Sequence, residues 1–313
     1  MHGKLHKISV VVPCYNEEES IPLFFAEITK VFQTMPTSSL ELILVDDGSK
    51  DGTLQILRDL ARAHPEVKYL SFSRNFGKEA ALLAGLECAT GDFVAVMDAD
   101  LQHPPHLLPQ MYAGITEEGF DCIATKRSNR DGEPAIRSFF SKRFYRFINA
   151  ISETQMVDGA TDYRLMTRQM VDAILSLKEY NRFSKGLFSW VGFSTKWIPF
   201  ENLPRVAGNT KWKFGQLLLY SLDGIVAFSV KPLAISSLLG IFFFLIALLG
   251  TAFVVIRWLV FGDPVQGWAS TVCIILFVSG TQLFCTGILG QYVAKAYLET
   301  KGRPVYIVKE KDN

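Results

Sequence analysis

Two carboxylates stand two residues apart in Val96-Met97-Asp98-Ala99-Asp100-Leu101-Gln102-His103-Pro104-Pro105, directly after the apolar run Phe93-Val94-Ala95-Val96. Hard oxygens at this spacing suit Mg2+ or Mn2+ carrying a diphosphate, since such ions need only one or two protein carboxylates beside water and phosphate. The apolar run reads as a buried strand, which puts the acids at its carboxyl end. Strand side chains alternate, so Asp98 and Asp100 share a face if strand geometry persists. Pro104-Pro105 then stops the strand and can open a helix. Asp-x-Asp also serves turns and helix caps, and its neighbours decide between the two uses.

Three similar units precede it. Lys7 to Pro13 reads as a first strand, followed by Cys14-Tyr15-Asn16-Glu17-Glu18-Glu19, with Asn16 as a cap, and a helix with the stripe Ile21, Phe25, Ile28 and Phe32. Leu40 to Val45 ends in Asp46-Asp47-Gly48-Ser49 before a helix with Leu54, Leu57 and Ala61 on one side, and Val67 to Phe72 ends in Ser73-Arg74-Asn75-Phe76-Gly77-Lys78-Glu79 before another. Strand, polar loop and helix alternating in this way predict an α/β, Rossmann-like fold: right-handed crossovers and a mainly parallel sheet with helices on both faces. The polar loops then share the carboxyl edge of the sheet, where open α/β sheets bind ligands. No Gly-x-Gly-x-x-Gly or Walker lysine motif is present. A nucleotide is still expected, with Asp46 or Asp47 accepting hydrogen bonds from base or ribose and Arg74 or Lys78 neutralising phosphate.

These four loops together resemble those of family 2 inverting glycosyltransferases, and most closely the polyprenyl-phosphate glycosyltransferases, which include bactoprenol glucosyltransferases and dolichol-phosphate mannose synthases. Thr161-Asp162-Tyr163-Arg164, Arg182-Phe183-Ser184-Lys185-Gly186, Thr210-Lys211-Trp212, Leu222-Asp223-Gly224-Ile225 and Arg303-Pro304 extend the resemblance over nearly the whole chain. It implies a GT-A fold. It also implies a nucleotide-sugar donor bound by Pro13, Tyr15, Asn16, Glu17, Asp46, Asp47, Arg74, Lys78 and Asp98. Asp98 and Asp100, with Gln102, would hold the metal, and Asp162 would lie near the reacting groups.

Between Asp121 and Arg146 the composition turns basic, with Lys126, Arg127, Arg130, Arg137, Lys142, Arg143 and Arg146. A solvated helix would explain this, but a domain beside a membrane favours contact with anionic headgroups or a lipid phosphate. The resemblance implies an acceptor phosphate here, carried to Arg127 and Arg137. Asp158 and Asp162 read as a polar loop before a helix containing Val171, Ile174 and Leu175, and the lesser alternative for Asp162 is a helix cap or a partner of Arg164.

The last third differs in kind. Leu233 to Ile256 and about Trp268 to Gly290 are uncharged apolar runs, each longer than the roughly 20 residues that cross a bilayer. Their short connector predicts a hairpin. Lys231, Lys295, Lys301 and Arg303 predict that both ends face the cytoplasm, with Arg257 snorkelling at the far end. A stripe of Phe214, Leu218, Leu222 and Ile225 behind Lys211, Trp212 and Lys213 predicts an interfacial helix. Gln282 is expected to link helices or subunits in a homo-oligomer, and Gly280, Gly287 and Gly290 to allow close packing. The expected organisation is a catalytic domain over 1–200, juxtamembrane helices over 201–231, two spans over 232–295 and a tail over 296–313.

Net charge of +1 argues against nucleic acid as a partner. Ile8 to Val12 is too short for an h-region and ends at a proline, which predicts that the front domain is not secreted, and five cysteines at 14, 88, 122, 273 and 285, with no Cys-x-x-Cys pair, fit packing roles in a reducing compartment. The whole predicts a multi-pass cell-membrane enzyme with a cytoplasmic catalytic domain. It would transfer a hexose, glucose or N-acetylglucosamine above others, from a UDP-sugar to undecaprenyl phosphate for cell-envelope glycosylation. A processive polysaccharide synthase is the rival enzyme, although its Gln-x-x-Arg-Trp pattern is absent. A membrane-tethered nucleotide-sugar sensor or lipid-carrier partner subunit is the non-enzymatic rival.

Overall fold

The computed structural model describes residues 5–128, 157, 159–201, 229, 231–261 and 267–312. The basic stretch beyond Ser128, including Arg130, Arg137, Lys142, Arg143 and Arg146, lies outside them, as do Asp158, the segment around 211–228 and the connector 262–266.

Strands β1 (His6–Cys14), β2 (Ser38–Asp46), β3 (Val67–Phe72) and β4 (Phe93–Val96) pair in parallel, β1 between β2 and β4, and β3 beyond β2. Helices α1 (Ser20–Gln33), α2 (Thr53–Ala63) and α3 (Lys78–Cys88) form the crossovers, and α4 (Leu108–Thr116) follows a 3-10 turn at Pro105–Leu107. Four further strands complete one eight-stranded sheet in the order β7-β5-β6-β4-β1-β2-β3-β8. These are β5 (Cys122–Arg127), β6 (Ala160–Thr167), β7 (Thr195–Phe200) and β8 (Val308–Lys311). Strand β6 runs antiparallel between β4 and β5, and β8 runs antiparallel on the edge of β3. Asp162 therefore sits in a strand. The polar-loop reading of this segment is corrected: pairing with two neighbours makes a strand of residues whose local pattern does not announce one.

The two faces of the sheet follow from strand alternation. Val10, Val12, Leu42 and Leu44 pack under Ile21, Phe24, Ile28, Leu57, Leu108 and Met111 of α1, α2 and α4. Val11, Ile43, Val45, Val94 and Val96 face α3, α5 (Arg168–Ser176) and α6 (Ser184–Trp190). Each such side chain contributes about 1.5–3 kcal/mol by leaving water. In α1 the buried aromatic is Phe24, whereas Phe25 is half-buried and meets the His64 ring at 4.6 Å with a tilt of 48°. Helix α3 approaches β1 so closely that a Cβ at Gly85 would stand 2.2 Å from Val11 Cγ1, which leaves glycine as the residue that fits.

Helices α7 (Lys231–Phe261) and α8 (Trp268–Thr300) are about 46 and 50 Å long at 1.5 Å per residue. Phe243 meets Phe277 at 5.4 Å, Cys285 Sγ lies 3.7 Å from Ser236 O, and Tyr292 Oη donates to Ser229 O at 2.5 Å. Ascending numbers on one partner meet descending numbers on the other, so the pair is antiparallel. Their described large apolar side chains are broadly exposed. Among the described residues, Lys231–Gly250 is long and apolar enough to cross a membrane.

Candidate functional site

The carboxyl ends of β1 to β4 bring four polar loops to one edge. Asn16 is not a cap: it has φ +53°, its backbone N donates to Ser49 Oγ at 2.9 Å, and its Oδ1 accepts from Lys50 N at 2.8 Å. Helix α1 starts later, at Ser20, whose hydroxyl donates to Glu17 at 2.8 Å, and Glu17 N donates to Thr53 Oγ1 at 2.8 Å. Asn16 and Glu17 are thereby laced to the loop after Asp46.

Asp46 and Asp47 turn towards the protein. Asp46 is 1% exposed and accepts from Ser49 N at 2.9 Å and Ser71 Oγ at 2.7 Å. Asp47 is 4% exposed and accepts from Phe76 N at 2.6 Å and Gly77 N at 2.9 Å, which ties the β2 loop to the Arg74 loop. Burial raises its pKa to about 6 against the pull of those two amides. Gly48, at φ +66°, lets the two loops touch, because a Cβ there would stand 2.5 Å from the Arg74 carbonyl carbon.

Strand β4 ends at Val96, so Asp98 and Asp100 lie on a turn with Leu101 at φ +57° and do not continue a strand face as expected. Asp100 is 8% exposed, and its Oδ1 accepts from Gln102 N at 3.1 Å. Asp98 Oδ1 lies 2.6 Å from Lys78 Nζ, at the start of α3, and Asp98 N donates to His103 Nδ1 at 3.2 Å. His103 is buried and stacks on Tyr163 at 5.7 Å.

Lys78 Nζ also lies 2.6 Å from Asp162 Oδ2, so one ammonium bridges two carboxylates brought from β4 and β6. Burial alone would raise both acids' pKa values, but the lysine outweighs it and holds both below the usual carboxylate range; the same two acids lift the Lys78 pKa against its own burial. The alternative pairing of Asp162 with Arg164 does not form, and Asp162 lies against Lys78 instead. The Arg164 guanidinium donates to the carbonyls of Thr161 and Asp162, at 3.0 and 3.3 Å, and lies 3.7 Å from the Phe188 ring centroid.

Sequence reasoning missed how Glu79 and Ser184 join. Glu79 accepts from Ser184 N at 2.9 Å and from its hydroxyl, which pins the Arg182 to Gly186 stretch beside Lys78. Lys185 consequently adds positive potential at Asp162. Both stretches were visible as motifs, but no local signal pairs them. Arg127 ends β5, with its N donating to Gly159 O at 3.0 Å. Its expected companion Arg137 lies outside the described residues.

Open α/β sheets bind ligands outside the carboxyl ends of their strands, the edge at which Asp98, Asp162 and Lys78 meet. Residues 9–175 match the family described as Glycosyl transferase family 2. The putative glycosyltransferase CsbB of Bacillus subtilis is 44% identical over 303 residues, covering 97% of this chain and 91% of that protein. The SfII prophage-derived bactoprenol glucosyl transferase of Shigella flexneri is 42% identical over 308 residues, covering 97% and 98%. Among solved structures, a mannosyltransferase from Pyrobaculum calidifontis, in complex with GDP-Man and Mn2+, has a TM-score of 0.45 at 16% identity over 97% of this chain and 89% of that one. The chain belongs to glycosyl transferase family 2 and is a glycosyltransferase.

Proposed function

We propose that the protein transfers a hexose, glucose or N-acetylglucosamine above others, from a UDP-sugar to undecaprenyl phosphate at the inner leaflet, with inversion at the anomeric carbon. The observation that carries the reading is the Lys78 bridge between Asp98 and Asp162 at the carboxyl edge of the sheet. Full-length likeness to a bactoprenol glucosyl transferase supports the acceptor class.

Asp98 and Asp100 fit a hard divalent cation. Among the described residues no three His, Cys, Asp or Glu side chains cluster as a closed cage, so diphosphate and water would complete the coordination, as Mg2+ and Mn2+ allow. Bound there, the ion would supply charge compensation for the departing diphosphate. Gln102 stays beside Asp100 by donating its backbone N–H to the Asp100 carboxylate.

The loops of Pro13 to Glu17, of Asp46 and Asp47, and of Arg74 form the donor cradle in this reading. The acceptor phosphate loses its second proton near pH 6, so at neutral pH much of it is already a dianion and needs aim more than a base. Arg127 and Arg137 supply that aim. Asp162, held ionised by Lys78, orients the donor sugar or a cationic side chain.

Helices α7 and α8 form a membrane hairpin in this reading, supported by their antiparallel contacts and exposed apolar surfaces, and Gln282 links copies into a homo-oligomer. The test is incorporation of radiolabelled sugar into a butanol-extractable lipid by purified protein, across a panel of nucleotide sugars. Label in lipid with UDP-glucose or UDP-N-acetylglucosamine is the expected result. Label in polymer, or none with any donor, overturns the proposal.

A further inference from the structure

After α8 the chain turns back to the sheet. Glu299 accepts from Tyr180 N and Asn181 N, each at 3.0 to 3.1 Å, and β8 then adds to the β3 edge, with Ser73 N donating to Ile307 O at 3.0 Å. Arg58 grips Glu310 with two bonds of 2.8 Å. Between these fastenings Tyr306 lies flat on Phe72 at 4.9 Å and 19°, its hydroxyl bonded to Glu87. Phe72 meets Phe76 edge-on at 5.8 Å, and the Arg74 guanidinium sits 4.1 Å above the Phe76 ring. A stack of rings therefore runs from the returning tail into the loop whose amides bind Asp47.

We propose that Tyr306 is a positioning residue that sets the Arg74 loop for the donor, coupling donor binding to the docking of the chain's end behind the long helices. This rests on the reading of Arg74 as a donor-phosphate residue. Phe72 is anchored in the core, and Phe76 is held from below by Asp47 and from the side by Phe72. Without the Tyr306 ring, Phe72 loses its outer neighbour, and the loop loses the wall that fixes Phe76 under Arg74.

The experiment uses the full chain in lipid nanodiscs, with UDP-glucose and undecaprenyl phosphate as probes, and compares wild type, Tyr306→Phe, Tyr306→Leu and Arg74→Ala. Tyr306→Leu keeps apolar bulk, which preserves the fold, but removes the stack. Hydrogen exchange over residues 73–77 and the donor half-saturation should both rise roughly 3- to 10-fold in the Leu variant, the size of an aromatic pair. Its kcat and acceptor half-saturation should stay within about twofold, and Tyr306→Phe should match wild type. Loosening confined to residues 305–312, or a loss of kcat at constant donor half-saturation, overturns the proposal. If Arg74→Ala leaves donor half-saturation unchanged, the donor reading of Arg74 fails and takes the functional half of the proposal with it. The exchange data still judge the ring stack on its own.

Discussion

Lys78 Nζ lies 2.6 Å from Asp162 Oδ2, joining the first turn of α3 to a strand that follows 84 residues later. The same ammonium holds Asp98, so the edge of the sheet carries one cation between two anions. Any ligand that draws on either acid must work against, or replace, part of that attraction.

Substituting Lys78 with Met leaves two neighbouring carboxylates without their shared cation. A carboxyl whose folded pKa is depressed contributes stability that is present above about pH 4 and lost as pH falls through the folded value. The variant should therefore lose about 1–2 kcal/mol at pH 7, a figure discounted because the lysine side chain is 41% exposed. Thermal unfolding in detergent at pH 7 and pH 4 checks this. A variant as stable as wild type at pH 7 refutes it.

Asp100→Ala should abolish turnover and cation-dependent donor binding. Because Asp100 is nearly buried and accepts from Gln102 N, the change also costs about 1 kcal/mol of stability, not the negligible amount expected of an open edge carboxylate. Calorimetry of UDP binding with and without Mn2+ tests the first part, and transfer that persists in excess chelator excludes a metal role.

Asp162→Asn should slow transfer without steepening its pH dependence between about 6.5 and 8.5, a window above the acceptor's pKa. A carboxyl held below its usual range by Lys78 is a weak base at neutral pH. Rate profiles of both proteins decide the matter: a titration present in wild type, missing from the Asn variant and not due to the acceptor identifies Asp162 as the base.

Asp47 behaves in the opposite sense. With a pKa raised to about 6, it contributes stability that is full below about pH 4 and lost as pH rises through 6, up to roughly 3 kcal/mol. Asp47→Asn keeps an acceptor for Phe76 N or Gly77 N and removes the buried charge. Its melting temperature should change less between pH 4.5 and 7 than that of wild type; parallel curves would sink the assignment.

Membrane topology has its own check. Strand β8 pairs with β3, which puts Lys309 on the same side as the catalytic sheet. In intact cells, on a background without reactive native thiols, Asp263→Cys should be labelled from outside and Lys309→Cys protected. The reverse pattern would overturn the proposed hairpin orientation.

The parallel half of the sheet was legible in the chain because each strand there is a buried apolar run closed by a polar loop, so burial on both faces imprints a local pattern. Val67–Phe72 and Phe93–Val96 match the expected bounds, and β1 and β2 differ by a residue or two at their ends. The same alternation assigns the loops of Asn16, Asp46, Arg74 and Asp98 to one edge from the sequence alone. The free, buried thiols of Cys14 and Cys122 also agree with the packing role expected of them.

What the residues by themselves determined was therefore the α/β class, the edge that carries the site and the kinds of side chain available there. Tertiary structure decided their partners. Strand β6 is half polar and becomes a strand through ladders on both sides, which moved Asp162 out of a loop and against Lys78. Glu79 with Ser184, Asp47 with Phe76 and Tyr306 with Phe72 likewise join segments far apart in sequence. Periodicity reports which face of an element is buried, but the charge that faces a given carboxylate is set by how separate elements pack, and that information is held in no single stretch of the chain.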